Sequence, residues 1–392
     1  MRLKDCWDYL RRAPKLSWNI LFRGRYNFTY DLMPISTPHM PVMKRLNLLK
    51  TGANLIYRRG NAWGWPVHVH VELTNYCNLK CRVCPTGTGR LRRRPAAMDP
   101  ALFERLMNEA GPYLLTTSLW GWGESLLHPQ LTDMLRLTQN RGVTTFLSTN
   151  GQNLDDEKVL QALISYPPTY LIVCIDGLTD ETNSVFRVGA KLEPVLTGVR
   201  QLAQMKRKKG SHLPILHLQY IVMKHNEHEV PQLPQFAAAN RFDQLTTRTL
   251  VIIDAPDDVH HDLIPDDEGF RAYGYRDNKR ISRTDFICEK AFIFPAVFAD
   301  GTVVACDQDC NAQQPYGSLA DGSSFADIWW SKRANEIRRT IRNNPDSFSF
   351  CRNCPFRDRP VGACSIQYVD LHRQGIRYST APSARHVPDM ST

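Results

Sequence analysis

Between Val67 and Leu73 the chain alternates: Val67, Val69, Val71 and Leu73 are apolar, and His68, His70 and Glu72 between them are polar. That period belongs to a β-strand with one face on a core and the other turned toward something polar. Further along, apolar runs predict five more strands, at Thr116–Trp120, Val143–Ser148, Tyr170–Ile175, Ile215–Val222 and Leu245–Ile252. Between them the apolar positions recur at helical spacing. They predict helices over Pro100–Glu109, Leu131–Asn140, Asp155–Ile164, Pro194–Lys208 and Glu229–Ala239. Repeated strand–helix units imply an α/β fold with a parallel sheet and ligands at the C-terminal ends of its strands. His68 and His70 then face the polar side of the first strand, where hydrogen bonding is their simplest role and catalysis the alternative.

Composition adds three constraints. The 392 residues suit one large domain and a smaller one. No run approaches the ~20 apolar residues that cross a bilayer, and residues 1–15 scatter charges without the apolar centre of a secretory signal. With eleven cysteines, an odd number in tight local groups, metal ligation fits better than disulfides and a cytoplasmic setting is expected. Charge is uneven. The first sixty residues hold twelve Lys or Arg and three acids, which is +9 of the net +10. Aromatics interleave there: Trp7, Tyr9, Trp18, Phe22, Tyr26, Phe28 and Tyr30. Residues 1–65 read as an N-terminal extension packed on the rest of the fold with its charges in solvent. Peripheral membrane contact through residues 1–60 is the next reading, and nucleic acid a distant third.

The chemistry is concentrated just after the first strand, in Cys77-Asn78-Leu79-Lys80-Cys81-Arg82-Val83-Cys84. Three thiols at this spacing can converge on one point, and thiolates are what soft metal centres and iron–sulfur clusters require. A closed structural zinc needs a fourth ligand, and no further thiol lies close by. A zinc-stabilised protein that binds membrane or RNA is therefore the weaker alternative. Arg90, Arg92, Arg93 and Arg94 follow; they suit either a clamp for a phosphate or carboxylate or a solvated loop.

The C-x3-C-x2-C loop behind a first strand resembles the hallmark of the radical S-adenosylmethionine superfamily. The resemblance implies a partial (β/α)6 TIM-like barrel over residues 66–285, with Cys77, Cys81 and Cys84 holding a [4Fe-4S] cluster whose open iron chelates S-adenosyl-L-methionine. It implies reductive cleavage to a 5′-deoxyadenosyl radical, fed by a flavodoxin- or ferredoxin-type donor. Later motifs extend it in order. Gly121-Trp122-Gly123-Glu124 resembles the family's Gly-Gly-Glu element, and Ser148 and Asn150 end the third strand where relatives contact the cofactor. Asp176 with Arg187 resembles an Asp-Gly…Arg element that pairs with a carboxylate. Val83 stands where many members carry an aromatic.

A second group of thiols lies at 288–364. Cys288, twelve residues, Gly301, four residues and Cys306 read as a hairpin through Phe292-Ile293-Phe294 that brings two thiols together. Cys351 and Cys354 follow, then Cys364. The pattern resembles the SPASM and twitch subgroup. It implies a small auxiliary cluster domain at 286–365, with Cys288, Cys306, Cys351 and Cys354 on a second [4Fe-4S] cluster, and a tail at 366–392. A four-cysteine zinc knuckle is the alternative. Cys174 reads as core and Cys6 as a spare thiol. Cys310 and Cys364 are left as spare ligands or hydrogen donors. The expected reaction is dehydrogenation or epimerisation of a carbohydrate, cyclitol or other small polar substrate, with radical modification of a peptide or protein as runner-up.

Overall fold

The computed structural model describes residues 13–57, 60–139, 141–252, 260–272, 274–276, 279–280, 288–352, 354, 356, 364–372 and 375–378. Cys6, Trp7, Tyr9, the boundary at 285/286 and most of the tail fall outside them. Residues 13–21 form helix α1; β1 (Tyr26–Tyr30), β2 (Met33–Thr37) and α2 (Val42–Tyr57) follow. The parallel core runs β3 (His68–Val71), α3 (Pro100–Glu109), β4 (Thr116–Leu119), α4 (Leu131–Thr138), β5 (Thr144–Thr149) and α5 (Glu157–Ser165). It continues through β6 (Tyr170–Cys174), α6 (Asp180–Phe186), α7 (Leu192–Lys209), β7 (Ile215–Val222), α8 (Leu233–Ala239) and β8 (Gln244–Thr249). After the small hairpin β9 (Tyr275–Arg276) and β10 (Lys279–Arg280) come α9 (Lys290–Ile293), β11 (Ala296–Val297), β12 (Thr302–Val304) and β13 (Pro315–Ser318). The last elements are α10 (Phe325–Trp329), α11 (Lys332–Asn343), α12 (Ser349–Arg352), β14 (Ser365–Asp370) and β15 (Gly375–Tyr378).

One sheet carries the molecule, in the order β13-β12-β11-β3-β4-β5-β6-β7-β8-β14-β15. From β3 to β8 every pairing is parallel, giving six strands in a partial barrel, the first five each followed by helix. Its two edges do not meet. The auxiliary hairpin extends one, with β11 parallel to β3, and β14 closes the other antiparallel to β8. Alternation along each strand separates two faces. Val69, Val71, Leu147, Leu171 and Val173 belong to the large core shared with the helices. Local signals agree with it: Asp99 caps α3 by accepting from the Ala101 amide, ahead of Pro100.

The inner face holds what the pattern did not anticipate. The β1–β2 hairpin enters the barrel instead of lying on its outside. Asp31 and Leu32 turn it, both at left-handed φ (52° and 67°), as a two-residue hairpin loop requires. Met33 and Ile35 pack with Phe146, Tyr170, Ile172 and Tyr368. Tyr30 stacks on Phe146 at 4.3 Å and on His68 at 5.7 Å. Tyr30 therefore serves the lumen, whereas Tyr26 and Phe28 also pack on Ile20, Met40 and Leu115.

Three further expectations differ. The helix expected from Glu229 begins only at Leu233, after a 3-10 turn over Glu227–Gln232, because Pro231 and Pro234 withhold the amides an α-helix would use. Phe292 and Ile293 belong to α9, and the hairpin starts at Ala296, past Pro295. The helix α6 was not expected from the pattern at all.

Candidate active site

The three thiols of the 77–84 loop sit at the C-terminal end of β3, partly exposed and unbridged. They feel one another: burial raises Cys77 and pushes Cys81 up to about 12, Cys84 adds to both, and Cys77 adds to Cys81. The Leu79 amide donates to Cys77 Sγ at 3.4 Å, and Asn150 Nδ2 reaches the same sulfur at 3.6 Å. Backbone pairing fixes the loop from its other side, Lys80 N to Val188 O at 3.0 Å and Arg82 N to Phe186 O at 3.2 Å. Partly open, mutually coupled thiols within reach of N–H donors fit a thiolate-held cluster.

The residues expected to handle the cofactor are gathered around this loop. A Cβ on Gly121 would overlap the Glu72 side chain, and one on Gly123 would overlap the Thr74 and Tyr76 carbonyls. These glycines thus let the β4 loop lie directly on the backbone leading into the cysteines. Glu124 is buried and takes Thr149 Oγ1 at 2.6 Å and the Asn150 amide at 2.8 Å, which ties the ends of β4 and β5 together. Burial lifts its pKa. Ser148 Oγ lies 3.4 Å from Cys174 Sγ. Asp176 and Arg187 form a buried ion pair, Oδ2 to Nε 2.7 Å, yet neither of those two atoms completes a hydrogen bond. Burial opposes the Arg187 charge, but Asp176 and the thiols of Cys174 and Cys81 outweigh it and hold the pKa up. A charged guanidinium with unused donors beside the thiol loop fits a carboxylate-bearing ligand such as S-adenosylmethionine.

Two expectations resolve into structure. His68 bonds Thr116 Oγ1 at 2.7 Å and Ser118 Oγ at 2.9 Å, and His70 bonds the same Ser118 at 2.9 Å. Burial keeps both neutral, His70 at about 4. Among the four arginines, Arg93 is no clamp. It makes a two-pronged pair with Glu72, both contacts 2.7 Å, donates to the Cys310 carbonyl and lies over the Phe298 ring. Glu72 also accepts from the Trp122 and Ala299 amides, so this one carboxylate joins β3, the β4 loop and the auxiliary hairpin.

The lumen contains groups that sequence reading missed. Arg248, on β8, donates to Gln219 Oε1 at 2.7 Å and pairs with Asp31 of the hairpin turn at 2.9 Å. Gln219 in turn reaches Cys174 Sγ at 3.4 Å. Asp31 and then the Cys364 thiol hold the Arg248 pKa up against its burial. Lys290 pairs with Asp307 at 3.3 Å, and its field reaches Cys306, Cys364 and Cys354. A polar band thus runs from Ser148 through Cys174, Gln219 and Arg248 to Cys364 and Lys290. The one available signal was weak: Gln219 and Arg248 are long polar residues, beside His217 and Gln244, in otherwise apolar or threonine-rich strands.

Beyond that band, Cys288, Cys306, Cys351 and Cys354 line a single cavity of about 40 Å³, closed by Lys290, Phe350 and Phe356. Four thiols around one space fit a sulfur-held iron–sulfur cluster, whereas among the described residues no three such ligands close on a single metal ion. Cys310 is buried at the Arg93 contact, whereas Cys364 faces Arg248.

Comparison with known proteins agrees with this geometry. The radical SAM superfamily model matches residues 71–237, and the model of an iron–sulfur cluster-binding domain, SPASM, matches residues 288–355. The chain is 25% identical over 325 residues to the tungsten-containing aldehyde ferredoxin oxidoreductase cofactor-modifying protein of Pyrococcus furiosus, covering 74% of this chain and 88% of that one. It is 24% identical over 170 residues to PqqA peptide cyclase of Gluconobacter oxydans, covering 43% of this chain and 45% of the relative. Streptococcus suis SuiB, bound to the precursor peptide SuiA, shares the fold at a TM-score of 0.56 and 14% identity, over 79% of this chain and 75% of SuiB. With both family models in chain order over thiols that the fold gathers into two sites, the chain belongs to the radical SAM superfamily, in its SPASM subgroup, which uses a [4Fe-4S] cluster with S-adenosylmethionine and auxiliary iron–sulfur clusters.

Proposed function

We propose that this enzyme dehydrogenates or epimerises a small polar substrate of the carbohydrate or cyclitol kind, held in the lumen between Arg248 and Lys290. The pairing of charges there carries the reading. Asp31–Arg248 and Asp307–Lys290 are each neutral as a pair, and their side chains keep 17–28% exposure. Such a wall offers donors and acceptors to hydroxyl groups without selecting a net charge. The hairpin fills part of the lumen, which favours a small substrate.

When bound, the cluster and S-adenosylmethionine supply one-electron cleavage and removal of hydrogen from an unactivated C–H bond. The chain's own part is holding and positioning. Cys77, Cys81 and Cys84 hold the first cluster, with Asn150 tuning Cys77. Gly121, Gly123 and Glu124 shape the loop over it, and Ser148, Asp176 and Arg187 receive the polar ends of the cofactor. Cys288, Cys306, Cys351 and Cys354 hold the auxiliary cluster. Of the two candidate hydrogen donors we assign Cys364 to the epimerising reaction, because it lies beside Arg248 on the chamber wall; Cys310 lies behind Arg93. A flavodoxin- or ferredoxin-type protein supplies the electrons, and such oxygen-sensitive centres suit a cytoplasmic setting.

A second reading, radical modification of a peptide, is favoured by the names of two similar proteins, PqqA peptide cyclase and the SuiB–SuiA complex. Reduced enzyme incubated with deuterated polyols or with deuterated peptides separates the two. Label from a polyol appearing in 5′-deoxyadenosine is the expected result; label arriving from peptides alone would overturn the proposal in favour of the second reading.

A further inference from the structure

Helix α2 packs Leu48, Leu49 and Leu55 against the core, yet its most buried and most exposed stripes are the reverse of a usual surface helix. Its buried stripe is polar: Lys44, Asn47, Thr51 and Asn54, spaced three, four and three residues apart. Each is held by backbone. Lys44 Nζ donates to Gly142 O at 2.6 Å, Asn47 exchanges bonds with Trp65 N and O, Thr51 donates to Trp65 O, and Asn54 donates to Asn61 O. The neighbouring stripe points outward and is apolar. Val42 is 62% exposed, Met43 51%, Leu46 49% and Tyr57 67%. Soluble helices place these residues in the opposite sense.

The inversion extends to the elements beside it. At the end of α1, Trp18 and Phe22 lie one turn apart, their rings tilted at 4.3 Å and more than half exposed. Arg45 brackets the two helices, donating to Leu21 O and Met40 O, so the end of α1 meets the first turn of α2. Past α2, Trp63 stands 5.8 Å from Tyr57 and is also exposed. Seven of the ten large apolar side chains exposed among the described residues therefore come from residues 18–63. Lys15, Arg23, Arg25 and Lys50 are exposed among them. From 13 to 63 the sole carboxylate is Asp31, and it is turned inside onto Arg248.

An outward set of Trp, Phe, Leu, Met and Tyr, with exposed Lys and Arg in the same segment and no outward acid from 13 to 63, has the chemistry of a bilayer interface with anionic headgroups. The aromatic rings sit at the headgroup level, aliphatic side chains enter the acyl boundary, and the bases meet lipid phosphate. We infer that α1 and α2 form a docking surface for an anionic membrane, so that the enzyme works at the lipid surface. This goes beyond the proposed reaction and is independent of it.

The test uses the full-length, cluster-loaded enzyme, sedimented with vesicles of phosphatidylcholine alone or of phosphatidylcholine with phosphatidylglycerol. Pelleting with the anionic vesicles, weakened by salt, is expected. Lys50→Gln should weaken partitioning about fivefold, equivalent to ~1 kcal/mol for one basic residue near the surface. Val42→Ser with Leu46→Ser should weaken it about tenfold or more. Because these side chains are exposed, thermal unfolding and the yield of 5′-deoxyadenosine should stay at wild-type values. No pelleting, or equal pelleting of wild type and the Val42/Leu46 variant, overturns the inference. So does a concentration-dependent dimer in lipid-free buffer that the same variant abolishes, which would assign the face to a second copy.

Discussion

Asp31→Asn is the sharpest perturbation of the lumen, because it removes one charge and leaves shape and volume in place. At 2.9 Å and an effective dielectric near 20, the Asp31–Arg248 attraction is ~6 kcal/mol gross. Desolvation of both groups offsets most of that. Their side chains remain 17% and 25% exposed, so a net coupling of ~1–2 kcal/mol is expected. Native-state hydrogen exchange on peptides spanning Tyr26–Thr37 reads the opening of the hairpin without unfolding the cluster sites. Asp31→Asn should accelerate exchange there roughly five- to thirtyfold. Arg248→Gln should do the same, and the double variant should fall short of the product of the two. Exchange effects that multiply, with less than ~0.3 kcal/mol of coupling, would show that the turn is not seated on β8. That would also remove the wall on which the substrate reading rests.

Three other outcomes follow from the geometry. Replacing Cys351 and Cys354 by alanine should lower anaerobically bound iron from about eight to about four per chain, with S-adenosylmethionine cleavage retained; unchanged iron would refute the auxiliary assignment. Arg93→Met strands Glu72 as an unpaired buried carboxylate and should cost ~3–5 kcal/mol. The Glu72→Gln/Arg93→Met double variant should recover part of that loss, and a double variant no better than Arg93→Met would contradict the pairing. His217 is buried against Thr246 Oγ1 (2.8 Å) and held neutral to about 4. As pH falls below ~6.5, the unfolded chain takes up a proton that the folded chain refuses, so stability drops by ~1.4 kcal/mol per pH unit until about pH 4. His217→Gln should flatten the pH dependence of Tm between pH 7 and 5 by this amount, and an unaltered slope would exclude His217 as its source.

Much of the catalytic scaffold was legible because its information is local. Three thiols within eight residues, glycines behind β4 and the Cys288–Gly301–Cys306 spacing each lie within one loop or hairpin. The ends of the predicted strands sit within a few residues of the observed ones, the first because it alternates and the others because they are short apolar runs. The lumen was not legible, since its contacts join distant positions: Asp31 with Arg248, Gln219 with Cys174. A polar interior also removes the apolar alternation that marks a strand, as in Gln244–Thr249. The four arginines after the cysteine loop looked alike in sequence. Only the fold singles out Arg93, by bringing it over Glu72 and Phe298. The basic, aromatic N-terminal segment combined two roles that its composition could not separate. Tyr30 and Met33 fill the barrel, whereas Trp18, Phe22 and Leu46 face outward.

The central claim is that the thiols of Cys77, Cys81 and Cys84 together hold the group that cleaves S-adenosylmethionine. Anaerobically reconstituted protein, given dithionite and S-adenosylmethionine, should form 5′-deoxyadenosine, and alanine at all three positions should abolish it while iron at the second site stays. Undiminished 5′-deoxyadenosine from the triple variant would contradict the account at its root.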